Sequence, residues 1–377
     1  MRDKERGVSE VLKNKLSALQ GWQDQINSEA KKKGTGMAVL GAGESIIAPR
    51  MPTGSPSLDV RLGGGWPRGA ISEVFGPNGS GKSTIAYGTI AELHKREPGA
   101  LAVLIDVEGS YSSKRGAAMG IDKDRLKIFR INTAEPALQK MKELLEMTTP
   151  EGRPVVDLIV LDSVASLVTD AEDEGDLADA QVGVLARLMS KTCRQFSALA
   201  ARNGATIIFT NQIRMKIGVM YGNPETTPGG EALKFYAWSR VRTSRKETLR
   251  DGENEIGQLT KAKIEKAKLD DSVGGEAIVR INRADGLDGA YDIATLGVAL
   301  GVVKKSGNAL SAVTAAGEVK GPGKDAFVAS VKANQAARTE LYEAVVKAGL
   351  GAGSIIDEVE ADLADSGEPA EGSESVA

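Results

Sequence analysis

The chain is poor in the residues from which most reactive centres are built. Of its 377 residues one is cysteine, Cys193, and one is histidine, His94. A single cysteine forms no internal disulfide, which points to a reducing compartment, the cytoplasm. With one histidine a zinc site of several His or Cys ligands cannot be assembled, and any Ser-His-Asp triad would have to pass through His94. Long apolar runs are missing too. The most apolar stretch, 155–168, carries Asp157 and Asp162, short of the roughly 20 apolar residues that cross a bilayer. The first residues, MRDKERGVSEVLKNKL, are charged and helical in pattern rather than a signal peptide, so no membrane partner is expected. What remains is carboxylate, lysine and phosphate chemistry.

The formal net charge of −3 is unevenly spread. Residues 351–377 hold eight acids and no base, which leaves 43 acids against 48 bases elsewhere. The body is therefore mildly basic and the Ser/Gly-rich acidic tail is expected to be disordered. Residues 1–30 read as an amphipathic helix, with Val8, Val11, Leu12, Leu16, Leu19, Trp22 and Ile26 at helical spacing, followed by a Lys/Gly-rich link at 31–36. Such a stripe must pack on its own body or on another subunit, and spacing alone does not choose.

From about 70 to 270, apolar runs at 71–75, 101–105, 155–162 and 205–211 alternate with helix-like segments at 83–96, 135–146 and 181–202. That alternation predicts an α/β fold with a mostly parallel sheet covered by helices. Further strands are expected at 236–243, 259–268 and 276–282, and a small helical module from about 320. His94 reads as a surface residue and Cys193 as inert packing.

Gly76-Pro77-Asn78-Gly79-Ser80-Gly81-Lys82-Ser83 is a complete G-x-x-x-x-G-K-[ST] element, placed between a strand and a helix where its mechanism needs it. Its backbone N–H groups would cradle phosphates, Lys82 would reach the β- and γ-phosphates, and Ser83 would ligate Mg²⁺. Asp162 ends an apolar strand, as does the carboxylate that holds magnesium through water in P-loop proteins. Glu108 lies just past another strand on the same sheet edge, a position suited to polarising the attacking water. Asn211-Gln212 ends the strand before 213–230, a Gly/Pro-rich segment with Arg214, Met215, Lys216, Met220 and Tyr221 interleaved. Basic residues among apolar and aromatic ones suit a loop that follows a phosphate backbone. Arg187 and Arg194 share one helix face. Lys261, Lys263, Lys266 and Lys268 form a basic strand, whose bland reading is a charged edge strand.

Taken together, residues 43–350 resemble the bacterial RecA recombinases. The likeness is most specific in MPTGSPSLDVRLGGGWPRGAISEVFGP (51–77), VLDSVASL (160–167), TNQIRMKIGVMYGNPETTPGG (210–230) and ALKFY (232–236). It implies a RecA-type P-loop ATPase core at 37–286 with a twisted parallel sheet. It also implies an N-terminal polymerisation helix with its linker at 1–36, a small C-terminal α/β or helical domain at 287–350, and the tail at 351–377. The implied activity is ATP- and Mg²⁺-dependent strand exchange by a helical homo-oligomer on single-stranded and duplex DNA. Glu108 would activate water, Lys82 would act on the phosphates, and Gln212 would couple the γ-phosphate to the DNA loop. Thr84 and Arg115 would join residues 76–83 and Asp162 around the nucleotide. Lys234, Phe235, Lys266 and Lys268 would reach nucleotide on the adjacent subunit. DNA would meet 175–182 and 213–230, with Arg187, Arg194, Met215, Gly218, Tyr221, Gly229 and Gly230 as the best candidates.

The chain departs from the family at Ser112 and Arg115, where an acid and a tyrosine usually frame adenine, and at Glu231 after the glycine pair. These departures suit a divergent or phage-encoded member, and Arg115 would stack its guanidinium on the base. The resemblance leaves open a LexA-like repressor and filament-loading proteins as partners. Two other readings compete: a DNA-coating scaffold filament without turnover, and a ring-forming helicase-type motor. The acidic tail is expected to shield the basic surface. Deleting 351–377 should tighten duplex binding most at low salt, measured as a salt titration of affinity; an unchanged salt profile would argue against shielding.

Overall fold

The computed structural model describes residues 49–176, 183–215, 225–268, 275–352 and 356–359, with parts of a helical stretch within 13–29. A nine-stranded sheet runs in the order Gly286–Leu287, Glu276–Asn282, Asn254–Ala267, Ser239–Asp251, Ile71–Gly76, Thr206–Gln212, Leu158–Asp162, Ala102–Asp106, Leu126–Phe129. From Ser239–Asp251 to Leu126–Phe129 the neighbours are parallel; the other three strands continue antiparallel. The inner strands are apolar on both faces because both are covered. Leu158 and Val160 face the P-loop helix Lys82–Arg96, with Ile85 and Ile90. Ile159 and Leu161 face the helices Ala134–Glu146 and Val184–Asn203, with Met141 and Phe196. Each such side chain, fully buried, contributes about 1.5–3 kcal/mol. All parallel strands end on one edge, which gathers Gly76, Asp106, Asp162 and Gln212.

Three expectations change. The strand with Lys261, Lys263 and Lys266 pairs with Ser239–Asp251 along its length and with Glu276–Asn282 as far as Lys263, so the edge-strand reading fails for Lys261 and Lys263. His94 is buried, its Nδ1 accepting the Asp122 N–H at 3.1 Å. The helices Lys324–Ala333 and Gln335–Gly349 lie where a helical module is expected from about 320, and a three-stranded antiparallel sheet (Lys304–Ser306, Ala309–Thr314, Gly317–Gly321) precedes them. The acidic stretch starts with a helical turn, because Ile356 is buried in the C-terminal core and Asp357 pairs with Arg61 at 2.6 Å. The rest of the tail beyond residue 359 lies outside the described residues. Cys193 is buried, and burial pushes its thiol up to about 12.

The C-terminal segment docks on the P-loop helix through buried polar contacts. Arg338 pairs with Glu92 at 3.0 Å and Tyr342 donates to Asp59 Oδ2 at 2.5 Å. Thr53 N–H donates to Asp59 Oδ1 at 2.8 Å. Burial pushes the Asp59 carboxyl from 3.8 up to about 7, against the hydrogen bonds from Tyr342 and Thr53. Asp292, buried beside Ser55, is likewise pushed up to about 7. A raised folded pKa means the native state keeps a proton that the unfolded chain releases. The stability it contributes is full below about 4 and is lost as pH rises to about 7. Tyr342→Phe should therefore cost about 1–3 kcal/mol, and more at pH 8, where the ionised carboxylate needs the donor, than at pH 5. Urea unfolding at the two values checks this; equal losses would show that Asp59 does not titrate there.

Candidate nucleotide site and DNA-facing loops

The P-loop leaves its strand where side chains have no room. A Cβ on Gly76 would lie 2.2 Å from the Thr243 carbonyl oxygen. Gly81 caps the following helix at φ +93°, with Ile281 Cδ1 2.5 Å from where its Cβ would be. The loop is held from outside: Ser80 Oγ lies 2.7 Å from Thr243 Oγ1, and the Gly79 carbonyl accepts from Gln258 Nε2 at 3.1 Å. Lys82 donates to the Pro77 carbonyl at 2.8 Å. Burial lowers its ammonium from the ordinary value, opposed by attraction to Asp162 and Glu108.

Asp162 is buried at the end of its strand. Its Oδ1 accepts from Thr210 at 2.5 Å and its Oδ2 from Tyr87 at 2.7 Å. Both oxygens keep a lone pair, so the carboxylate fits a magnesium ion held through water. Its backbone carbonyl accepts from Val107 and Glu108 N–H at 2.9 and 3.3 Å. Asp106 steadies the same turn by accepting from Ser110 and Tyr111 N–H at 3.0 and 3.2 Å. Glu108 is thereby set at the cleft. Its Oε1 accepts from Ser163 at 2.6 Å, Ser166 at 3.0 Å and Gln212 Nε2 at 3.3 Å. Desolvation opposes ionisation, but these hydrogen bonds and the Lys82 charge prevail and hold the carboxyl below its ordinary value.

The cleft is about 420 Å³ and extends from the P-loop between two walls: Ser110–Gly116 on one side, and Gly257, Gln258, Ile281 and Arg283 on the other. Arg115 lines it and donates to Thr84 Oγ1 at 3.0 Å. Ser112 Oγ is engaged as a helix cap, accepting from Arg115 N–H. Ser163, Ser166, Tyr87, Thr210, Gln258 and Arg283 were not singled out by sequence reasoning. For the two serines, their spacing of three beside Asp162 was the available signal.

Lys234, Phe235, Lys266 and Lys268 come together elsewhere. Lys266 donates to the carbonyls of Lys234, at 2.5 Å, and Phe235, at 2.9 Å. Burial, then Lys268 and Arg240, lower its ammonium to about 8. Phe235 is 72% exposed, Lys234 pairs with Glu231 at 2.8 Å, and Lys268 lies over the Trp238 ring. None of the four lines the P-loop cleft.

The segment after Gln212 departs and returns as a two-stranded ribbon, Arg214–Met215 against Glu225–Thr226. Its return is fixed by Arg242, bidentate to Glu225 at 3.1 and 2.7 Å, and by Asn211 Nδ2 on the Pro228 carbonyl at 3.0 Å. Asn211 also donates to the wholly buried Glu73, which pairs with Arg240 at 2.6 Å. Gly229 and Gly230 have φ of +84° and +74° and press on the helix Val184–Asn203, a packing reason for glycine there. A Cβ on Gly230 would lie 2.8 Å from Ala186 Cβ. Met215, Arg187 and Arg194 are exposed. Gly218 and Tyr221, and the first loop from 177 to 182, lie outside the described residues.

A phosphate-binding turn opening a helix, with an acid at the end of the parallel strand one beyond its neighbour, defines a P-loop nucleotide-binding ATPase. The comparisons narrow this class. A family model described as the RecA N-terminal domain matches residues 19–287. The relative named Protein RecA in Bacteroides thetaiotaomicron is 39% identical over 337 residues, 89% of this chain and 97% of its own length. Those in Kineococcus radiotolerans and Mycolicibacterium smegmatis are 40% and 39% identical over 323 and 322 residues, 85% of this chain in each case and 89% and 88% of theirs. The chain belongs to the RecA family. It is a DNA-dependent ATPase and recombinase that forms filaments on DNA and exchanges strands in recombination and repair.

The Glu73–Arg240 pair carries the geometry at both ends of the ribbon. Arg240→Met should cost about 3–5 kcal/mol, because it leaves a buried carboxylate with one amide donor, and should lower the DNA stimulation of turnover. Urea unfolding and ATPase assays with and without DNA check this; a stability loss under about 1 kcal/mol would mean the pair breaks even.

Proposed function

We propose that ATP with Mg²⁺ is the nucleotide, that Glu108 is the general base, and that Gln212 carries nucleotide state to the DNA loop. The observation that carries this reading is the hydrogen bond from Gln212 Nε2 to Glu108 Oε1, made by the residue that ends one strand and begins the ribbon. Magnesium, held by Ser83 and through water by Asp162, would neutralise charge developing on the phosphates. Lys82 binds the β- and γ-phosphate oxygens, and Thr84 and Arg115 hold the far end of the nucleotide. Glu108 takes the proton of the attacking water, whose oxygen bonds to the γ-phosphorus as the bridging oxygen leaves with ADP.

Lys234, Phe235, Lys266 and Lys268 meet nucleotide of the adjacent subunit, in keeping with their place outside this chain's own cleft. The N-terminal helix docks on a neighbour, in keeping with Leu19 and Trp22 being 58% and 52% exposed. Residues 37–286 form the ATPase core, 287–350 a small C-terminal domain and 351–377 an acidic tail. DNA runs along Arg187, Arg194, Met215, Gly218, Tyr221, Gly229 and Gly230, mostly through its backbone, so affinity falls with salt. A LexA-like repressor and filament-loading proteins are further partners, in the cytoplasm.

Glu108→Gln should lower DNA-stimulated ATP hydrolysis roughly 10²–10⁴-fold while leaving ATP-dependent DNA binding, and Lys82→Ala should abolish both hydrolysis and strand exchange. Hydrolysis by purified protein with and without single-stranded DNA checks this; retained turnover in Glu108→Gln would remove Glu108 as the base.

A further inference from the structure

The turn after Asp162 has a geometric peculiarity. Val164–Ser166 is a single 3₁₀ turn, closed by the Ser166 N–H on the Ser163 carbonyl at 3.1 Å. Ser163 caps this turn from an extended conformation and Ser166 ends it, and the two hydroxyls meet beside Glu108. Their oxygens are 3.1 Å apart, and both reach Glu108 Oε1, at 2.6 Å from Ser163 and 3.0 Å from Ser166. Two hydroxyl protons thus serve one carboxylate oxygen. Gln212 adds a third donor to that oxygen, and among the described residues Oε2 accepts no hydrogen bond.

We infer that Ser166 is a positioning residue for hydrolysis: with Ser163 it holds Oε1 and so leaves Oε2 as the oxygen that takes the proton from water. This rests on Glu108 as the base. Ser163 is buried beside Asp162, so its loss would disturb the strand end as well. Ser166 is only half-buried, and among the described residues its hydroxyl donates to Glu108 and otherwise only lies against Ser163 Oγ, so its removal isolates the effect. An oxygen losing one of three donors binds a proton more readily, because hydrogen bonds to a carboxylate favour its charged form.

The experiment is the pH dependence of DNA-stimulated ATP hydrolysis in the full-length wild type, Ser166→Ala, Ser166→Thr and Glu108→Gln. Ser166→Ala should lower kcat about three- to tenfold at unchanged KM, with the acid limb of the kcat profile moved up by roughly half a pH unit. Ser166→Thr, which keeps the hydroxyl, should restore both. The inference is overturned if the Ser166→Ala profile superimposes on the wild type, or if KM rises at constant kcat. Glu108→Gln separates the levels: if it retains turnover the base assignment fails and this inference with it, whereas a dead Glu108→Gln beside an unshifted Ser166→Ala overturns the inference alone. Unchanged ATP-dependent DNA binding by each variant confirms that the fold is intact.

Discussion

The site depends on one buried carboxylate. Asp162 receives Tyr87 from the P-loop helix and Thr210 from the adjacent strand on its side chain, and the turn carrying Glu108 on its backbone carbonyl. Burying a carboxylate is costly unless its lone pairs are satisfied, so these donors are held in fixed places. They fix the P-loop helix, the turn carrying Glu108 and the strand ending in Gln212 relative to one another. Burial and the Asp162 charge also hold the Tyr87 phenol well above its ordinary value, which keeps it a donor.

From that point the coupling runs along one sheet edge. Thr210, Asn211 and Gln212 are consecutive and face three tasks: Asp162, the Glu73–Arg240 pair with Pro228, and Glu108. Alternation along a strand sends neighbouring side chains to opposite faces, so one short run can serve both faces of the sheet. A displacement of the ribbon must pull on Asn211 or Gln212, and through Gln212 on Glu108. The ribbon and the Glu108 carboxylate are thus separated by one strand end.

Most of this was legible in the sequence because it depended on local pattern. Strand–glycine–lysine–helix order fixed the phosphate end, and apolar strands ending in Asp162 and Asn211-Gln212 fixed the edge, with boundaries moved by a few residues. What escaped depended on partners distant in the chain. His94 reads as a surface residue on its helix, yet Asp122 folds over it. The lysine strand looks like an edge until Glu276–Asn282 covers it. Ile356 looks like part of a featureless acidic tail until the C-terminal core buries it.

The wall of the cleft around residues 112 and 115 is held by local contacts. Ser112 serves as a helix cap, and one Arg115 nitrogen donates to Thr84. Tyr111 fills the space beneath, edge-on to Tyr87 with ring centres 5.5 Å apart, and a Cβ on Gly116 would collide with its hydroxyl. Gly116 is thus required by a tyrosine one position before Ser112, so these positions of the wall depend on one another. The Arg115 guanidinium is flat and donor-rich, a shape that stacks on planar rings. Any ring entering this end of the cleft would therefore meet a surface that selects by shape more than by pairing to one particular edge.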